Sequence, residues 1–274
     1  MNSILRSIHR WERKALLSKR QLFVLITLLL TAGLIITQIV PADLRYPCVI
    51  IFSAAAYVLT AFGLREDLRG IEWLTLLTLP TLFTAAVLLY YFLLPGRWLT
   101  RLPVTALFAV GMYALLLTEN IYNVAAERSI ALLRAAHSVG FLLTLITYFL
   151  LVSTIFAFRM APGFTALSVF VVTFFLVVQG LWSVVLESGL GKRVVGISIS
   201  LAVLLAELAW IFGFWPVSQA LIVLFLTTVL YCTVGMAQQY LGDKLYKKTV
   251  VEFGVVAAIV LVIVLVATRW RGFM

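Results

Sequence analysis

Charged residues are scarce in this chain. Asp, Glu, Lys and Arg make up 12% of its 274 residues, whereas they make up about a quarter of a soluble globular protein. Hydrophobic residues account for 64% of the chain, and its mean hydropathy is +1.12. A water-soluble domain of this length could not cover so much apolar surface with so few charges. The composition therefore excludes a soluble domain and predicts that the chain is embedded in a membrane.

Cysteine and histidine are also scarce, with two residues of each type. Cys48 and Cys232 lie in apolar stretches without a CxxC partner, which excludes a disulfide framework and a thiolate metal site. No lysine falls inside an apolar stretch, which excludes a retinal Schiff base. The sequence also lacks a Walker loop and the HExxH and GxSxG motifs. These absences predict no cofactor and no metal, and they argue against an enzyme.

Nine apolar stretches are long enough to cross a membrane as helices, which takes about 20 residues. Only helices and closed barrels satisfy backbone hydrogen bonds in lipid, and barrel strands would alternate in polarity. Continuous apolar runs such as 255–266 do not alternate. The predicted fold class is therefore all-α, a polytopic transmembrane helical bundle that occupies residues 21–274 as one domain. The predicted spans are about 21–40, 46–63, 72–94, 102–119, 138–158, 163–186, 195–214, 217–238 and 252–268.

The basic residues predict how the bundle is oriented. Fifteen of the 21 Lys and Arg residues lie in the N-terminal arm and in alternate loops, and the other six lie on the opposite side. This bias places the N-terminus in the cytoplasm, and nine spans would then place the C-terminus outside. Arg269 and Arg271 would lie on the outer side in that arrangement, so a model with eight spans stays open.

The N-terminal arm, residues 1–20, is basic and amphipathic. Ile4, Ile8 and Trp11 recur at helical spacing with basic residues on the other faces, which predicts a short interfacial helix over 3–18. Anionic lipid headgroups are its expected partners. A flexible basic tail is the alternative. Because the basic residues lie at the ends of apolar stretches, lipid contact explains the net charge of +10 and no nucleic-acid partner is expected.

One segment between two predicted spans is unusually polar. Thr118–Gly140 contains two Glu, two Asn, two Arg and one His. If one helix runs through it, six of these side chains share a face about 100° wide, and Arg128 lies on the opposite side. The six side chains are those of Glu119, Asn120, Asn123, Glu127, Arg134 and His137.

This polar face has three interpretations. It is the solvated side of a helix in the cytoplasmic interface, an ion-pair network directed into the bundle, or a functional site at a cavity that opens to the cytoplasm. Ionisable groups inside a membrane cost about 2.5–3.5 kcal/mol on insertion scales, so their presence needs a reason. Two carboxylates, an Arg and a His on one face could bind a polar headgroup or relay protons. The predicted ligand-binding residues of this face are Glu119, Asn123, Glu127, Arg134 and His137.

Glu207 is a second exception among the apolar residues. It lies in the otherwise apolar run Leu201–Phe214. A carboxyl group there is either protonated or paired with a cation or hydrogen-bond donor on another helix. We therefore add Glu207 to the predicted ligand-binding residues.

The stretch TENIYNVAAERSIALLRAAHSVGFLLTL, which begins at Thr118, resembles a family of uncharacterised multi-pass membrane proteins from candidate-phyla bacteria. The resemblance implies a bacterial cytoplasmic membrane as the location of the protein. It implies no activity and assigns no role to any residue.

These observations favour a non-enzymatic multi-pass membrane protein that binds or translocates a small polar or lipidic molecule. Membrane lipids are its expected partners. Two alternatives stay open: an intramembrane enzyme that acts on a lipid-linked substrate, and a scaffold subunit that joins partner membrane subunits in a larger complex. A polar cavity at the Glu119–His137 face would favour binding, transport or catalysis, whereas a solid bundle would favour the scaffold.

Overall fold

The computed structural model describes residues 18–65, 68, 70–95, 98–124, 130–186 and 189–268. In these ranges the chain forms nine long α-helices and no strand. Each helix is long and apolar enough to cross a membrane. The predicted all-α bundle with about nine spans is therefore confirmed. The predicted interfacial helix over 3–18 lies outside the described residues.

The nine helices follow one another through short connections, as the predicted spans do. Two short 3₁₀ turns, Thr37–Ile39 and Ala42–Leu44, join the first helix to the second. The helices are α1 (Lys19–Ile36), α2 (Arg45–Leu64), α3 (Glu72–Leu93), α4 (Trp98–Asn123), α5 (Ile130–Ala157), α6 (Pro162–Val185), α7 (Lys192–Phe212), α8 (Gln219–Leu241) and α9 (Lys247–Ala267).

Local sequence explains several helix starts. At α1 the Ser18 hydroxyl accepts a hydrogen bond from the Gln21 backbone N–H, and the Gln21 side chain accepts one from the Ser18 N–H. This reciprocal pair satisfies two backbone donors that the first turn leaves free. At α6, Pro162 occupies the first turn, where its missing N–H costs nothing.

The helices differ in how deeply they are buried. In α3, α5, α6 and α8, more than half of the residues in an 18-residue apolar stretch of the helix are buried, up to 61% in α5. These four helices form the centre of the bundle. In α9 only 6% of the corresponding stretch is buried. This helix packs against α8 at the periphery of the bundle. The outer faces of the peripheral helices are apolar, as contact with lipid requires.

The polar segment Thr118–Gly140 does not form one straight helix. α4 ends at Asn123 and α5 begins at Ile130. The Tyr122 hydroxyl donates a hydrogen bond to the carbonyl oxygen of Ala136 at 3.0 Å, although 14 residues of straight helix would hold the two about 21 Å apart. The helical wheel through the whole segment is therefore wrong. Its two halves belong to different helices that pack against each other.

Gly140 allows this close contact between α4 and α5. A Cβ atom at position 140 would lie 2.8 Å from the Tyr122 hydroxyl and 3.3 Å from the Cγ2 atom of Thr118. Any side chain larger than hydrogen would therefore force the two helices apart or displace Tyr122. Glu127 and Arg128, between the two helices in the sequence, lie outside the described residues.

Candidate functional site

The end of α4 and the start of α5 both contact α6. Glu119 on α4 is fully buried, and its Oε1 atom accepts a hydrogen bond from Nε2 of Gln179 at 3.2 Å. On α5, the Nε2 atom of His137 lies 2.8 Å from the carbonyl oxygen of Ser183. Because a carbonyl can only accept, Nε2 carries the hydrogen. Gln179 and Ser183 are one turn apart on α6, so Glu119 and His137 contact neighbouring turns of one helix.

Tyr122 connects these two contacts. It lies one helical turn after Glu119 on α4, and its ring centroid is 5.4 Å from that of His137. Its side chain is 4% exposed and packs with Leu76 and Trp182. Glu119 and Tyr122 are thus enclosed by other side chains, and neither lies on a solvated face.

The other predicted residues of the polar segment have different surroundings. The Asn123 amide donates a hydrogen bond to the Leu64 carbonyl oxygen at the end of α2, at 3.4 Å. Arg134 is exposed and lines a pocket near His137. Glu127 is outside the described residues, so its predicted role stays a prediction. The structure therefore brings Glu119 and His137 to one side of α6, but by a helical hairpin and not by one helix face.

Sequence reasoning missed the residues on α6 and α8 that complete this region. Gln179 is 3% exposed and binds Glu119. Gln238 on α8 donates a hydrogen bond from Nε2 to the Gly180 carbonyl oxygen at 3.0 Å. A signal for Gln179 was present, because it is the single amide side chain in the otherwise apolar or hydroxylated sequence of α6. Polar side chains inside spanning helices commonly bond neighbouring helices.

A pocket of about 600 Å³ lies beside His137, between α5, α8 and the start of α9. Two cationic side chains, those of Arg134 and Lys244, belong to its wall. Among the described residues, no carboxylate lines it, and nowhere do three or more His, Cys, Asp or Glu side chains form a group suited to a metal ion. The lining residues are Arg134, His137, Ser138, Phe141, Val184, Tyr231, Gly235, Gln238, Gln239, Gly242, Lys244 and Phe253.

The pocket wall changes from polar to aromatic along its length. Gly242 and Lys244 lie just beyond α8, whereas Tyr231 lies 11 residues before Gly242, or about 16 Å deeper along the axis. At that depth the Tyr231 ring packs against Phe141 of α5 and Phe253 of α9, with centroid distances of 5.7 and 5.3 Å. The cations and amides therefore line one end of the pocket, and aromatic rings line the other.

Phe253 also attaches the peripheral helix α9 to the bundle. A Cβ atom on Gly235 would lie 2.7 Å from the Phe253 ring, so the lack of a side chain at Gly235 leaves room for that ring. The carbonyl oxygen of Phe253 lies 3.3 Å from the Cys232 sulfur, which donates to it. These contacts hold α9, which forms one wall of the pocket, against α8.

Glu207 does not join these residues. It is exposed on α7 and lines a different groove, of about 290 Å³, between α6 and α7. The surrounding side chains include those of Leu167, Phe170 and Trp210, and the remaining lining residues are also apolar. Glu207 therefore does not lie inside the bundle, and its predicted role in ligand binding stays a prediction. Gly163, at the start of α6, lines the groove, whereas Val184, at the end of α6, lines the pocket. The groove and the pocket therefore lie at opposite ends of the bundle.

Residues 64–267 match the model of a family described as Protein of unknown function (DUF5656). Because the match covers more than half of the chain, the protein belongs to this family. The chain matches no curated protein and no solved structure. The prediction of an uncharacterised family is confirmed, and an origin in candidate-phyla bacteria stays a prediction. The matched region includes every residue that lines the pocket, as well as Glu119 and Glu207.

Proposed function

We propose that this protein is an integral membrane protein that binds an anionic amphiphile in the pocket between α5, α8 and α9. Such a ligand has a phosphate- or carboxylate-bearing headgroup and an apolar tail. The observation that carries the proposal is the order of side chains along the pocket, from Arg134 and Lys244 at the helix ends to Phe141, Tyr231 and Phe253 deeper in the bundle. That order matches the two parts of an amphiphile.

The charges at the polar end favour an anion. Arg134 and Lys244 are both exposed there, and no carboxylate among the described residues lines the pocket to neutralise them. A guanidinium group can form two parallel hydrogen bonds with a phosphate or carboxylate, and a lysine ammonium adds a point charge. The lining side chains of Ser138 and Gln238 add neutral hydrogen-bonding groups.

The size and location of the pocket favour a lipid-like ligand. Its volume of about 600 Å³ lies within the range of about 300–1,000 Å³ that is common for small-molecule sites. With the N-terminus in the cytoplasm, as the basic residues predict, the polar end lies at the cytoplasmic surface, where anionic lipids are concentrated. We also propose that the protein lies in the bacterial inner membrane, because its basic residues predict a cytoplasmic N-terminus and because its sequence resembles a family of bacterial multi-pass membrane proteins.

Binding explains the site better than catalysis does. His137 is the lining side chain best suited to general acid–base chemistry. Its Nε2 atom is already bonded to the Ser183 carbonyl, and no carboxylate lies in the described wall to work with it. We therefore propose a binding or translocating protein in preference to an intramembrane enzyme.

The test measures the thermal stability of the purified protein in detergent as lipid is added. Phosphatidylglycerol should raise the unfolding midpoint in a saturable way, and phosphatidylcholine with the same acyl chains should raise it less. A ligand at 100 times its Kd stabilises a protein by about 2.7 kcal/mol. The double variant Arg134→Ala/Lys244→Ala should lose most of the difference between the two lipids.

The matched control is Lys247→Ala/Lys248→Ala. These two cations lie at the same end of the bundle and are exposed, but neither lines the pocket. Lys248 forms a loose pair with Glu252 at 3.9 Å, and both partners are largely exposed, so its loss should matter little. The control should keep the preference of the wild type for phosphatidylglycerol. Equal losses in both double variants, or no preference in the wild type, would overturn the proposal.

A further inference from the structure

Glu119 and Gln179 together have three side-chain oxygens that can accept hydrogen bonds and, if Glu119 is ionised, two N–H hydrogens to donate. Glu119 is fully buried and Gln179 is 3% exposed. One hydrogen bond joins them, from Nε2 of Gln179 to Oε1 of Glu119 at 3.2 Å. Among the described residues, nothing donates a hydrogen bond to Oε2 of Glu119 or to Oε1 of Gln179. Neither residue lines the pocket between α5, α8 and α9.

No cation neutralises this carboxyl group in the described part of the chain. Tyr122 lies one turn after Glu119 on α4, and His137 of α5 contacts Tyr122. α6 has no charged or titratable residue. Glu119 forms no ion pair with the charged side chains that the surrounding helices carry at this end of the bundle. Those side chains are Lys19 and Arg20 of α1, Arg65 after α2, Glu72 of α3 and Arg134 of α5.

A proton on Glu119 would supply the missing hydrogen. An ionised carboxylate only accepts hydrogen bonds, whereas a protonated one also donates. Rotation of the Gln179 amide by half a turn would direct its carbonyl oxygen toward that donor, and the same heavy-atom positions fit both orientations. An ionised carboxylate without a cation is among the most costly groups to bury, particularly within a membrane.

We infer that Glu119 is a proton-binding site inside the bundle, and that Gln179 is the partner that holds the protonated carboxyl group. One proton is taken up from water and returned to water, and no other bond is made or broken. The contact of Tyr122 with His137 links the Glu119 turn of α4 to the pocket wall, and we propose that the proton exchanges with water by way of this pocket. The inference does not depend on which molecule the pocket binds.

The test is infrared spectroscopy of the protein in lipid nanodiscs at neutral pH. The wild-type spectrum should contain the carbonyl stretch of a protonated carboxyl group, and Glu119→Gln should remove the contribution of one group per chain. The control Glu252→Gln alters an exposed carboxylate on α9 and should leave that band unchanged. A band of equal strength in the wild type and in Glu119→Gln would overturn the inference.

The stability of the same variant gives a second, independent readout. An amide has nearly the same shape as a protonated carboxyl group, so Glu119→Gln should unfold within about 2 °C of the wild type. Failure of Glu119→Gln to fold would show that the negative charge is required, which contradicts the inference.

Replacement of sodium chloride by choline chloride should not change the unfolding midpoint. Stabilisation by sodium that Glu119→Gln abolishes would identify a metal cation as the ligand and overturn the proton assignment.

Discussion

The pocket between α5, α8 and α9 and the groove between α6 and α7 both contain charged side chains, but their surroundings differ. In the pocket, Arg134 and Lys244 lie beside amides and a histidine, and aromatic rings follow deeper in the bundle. In the groove, Glu207 is the one charged side chain that the described part of the chain contributes, and its neighbours in the lining are apolar. A charge in an apolar segment thus marks a site only where other helices supply complementary polar groups.

The same contrast separates the two carboxyl groups, Glu119 and Glu207. Each lies on a helix that is apolar enough to span a membrane. Glu119 is enclosed between helices and bonded to Gln179, whereas Glu207 is exposed on the outer face of α7. We therefore expect substitutions around Glu119 to change stability and substitutions around Glu207 to have little effect.

The largest expected effect is that of Glu119→Leu. The substitution leaves the buried Gln179 amide without its partner, and an unsatisfied buried polar group costs about 1–3 kcal/mol. Unfolding of the protein in nanodiscs, followed by circular dichroism, should show this loss. The double variant Glu119→Leu/Gln179→Leu should recover part of it, because it replaces both polar partners with apolar groups. Losses that simply add in the double variant would show that the two residues are not coupled.

An effect no larger than that of Glu119→Leu is expected from glycine substitutions in the two regions. Gly140→Ala places a Cβ atom 2.8 Å from the Tyr122 hydroxyl, and such overpacking costs about 1–3 kcal/mol. Gly163→Ala in the groove places its Cβ atom in open space, with nothing within 4 Å. It should change the free energy of unfolding by less than about 0.5 kcal/mol. Equal tolerance at both positions would contradict the close packing of α4 against α5.

The smallest effect is expected from Glu207→Leu. The side chain is exposed on the outer face of α7 among apolar residues, so leucine should leave the free energy of unfolding unchanged within about 0.5 kcal/mol or raise it. The measurement is the same unfolding transition in nanodiscs. A loss comparable to that of Glu119→Leu would show that Glu207 has a partner that contributes to stability.

The sequence predicted the fold because the length of an apolar stretch reports directly whether a helix can cross a membrane. The nine predicted spans correspond one by one to the nine helices of the described chain. The helix boundaries shift by several residues where polar turns continue a helix, as at Asn123. Arg134 and His137 were also noticed in the sequence as members of an unusually polar segment, and both lie inside α5, where ionisable residues are uncommon for a spanning helix.

The direction in which each side chain points could not be predicted in the same way. In a membrane, lipid-facing and core-facing residues are both apolar, so periodicity does not separate them. This is why Glu207 resembled Glu119 in the sequence although the two have opposite surroundings. Residues 124–129 include no proline or glycine, so the sequence did not exclude one helix through Thr118–Gly140. Gln179 and Gln238 approach the site from distant parts of the chain, and no local pattern indicates that contact.

The measurement that tests the account most directly is photocrosslinking with an anionic lipid that carries a diazirine near its headgroup. After irradiation in membranes, the modified residues are located by mass spectrometry. We predict adducts on the pocket segments of α5, α8 and α9, reduced in Arg134→Ala/Lys244→Ala and kept in Lys247→Ala/Lys248→Ala. Adducts concentrated on the groove around Glu207, or adducts on the pocket that do not depend on Arg134 and Lys244, would contradict the proposed binding site.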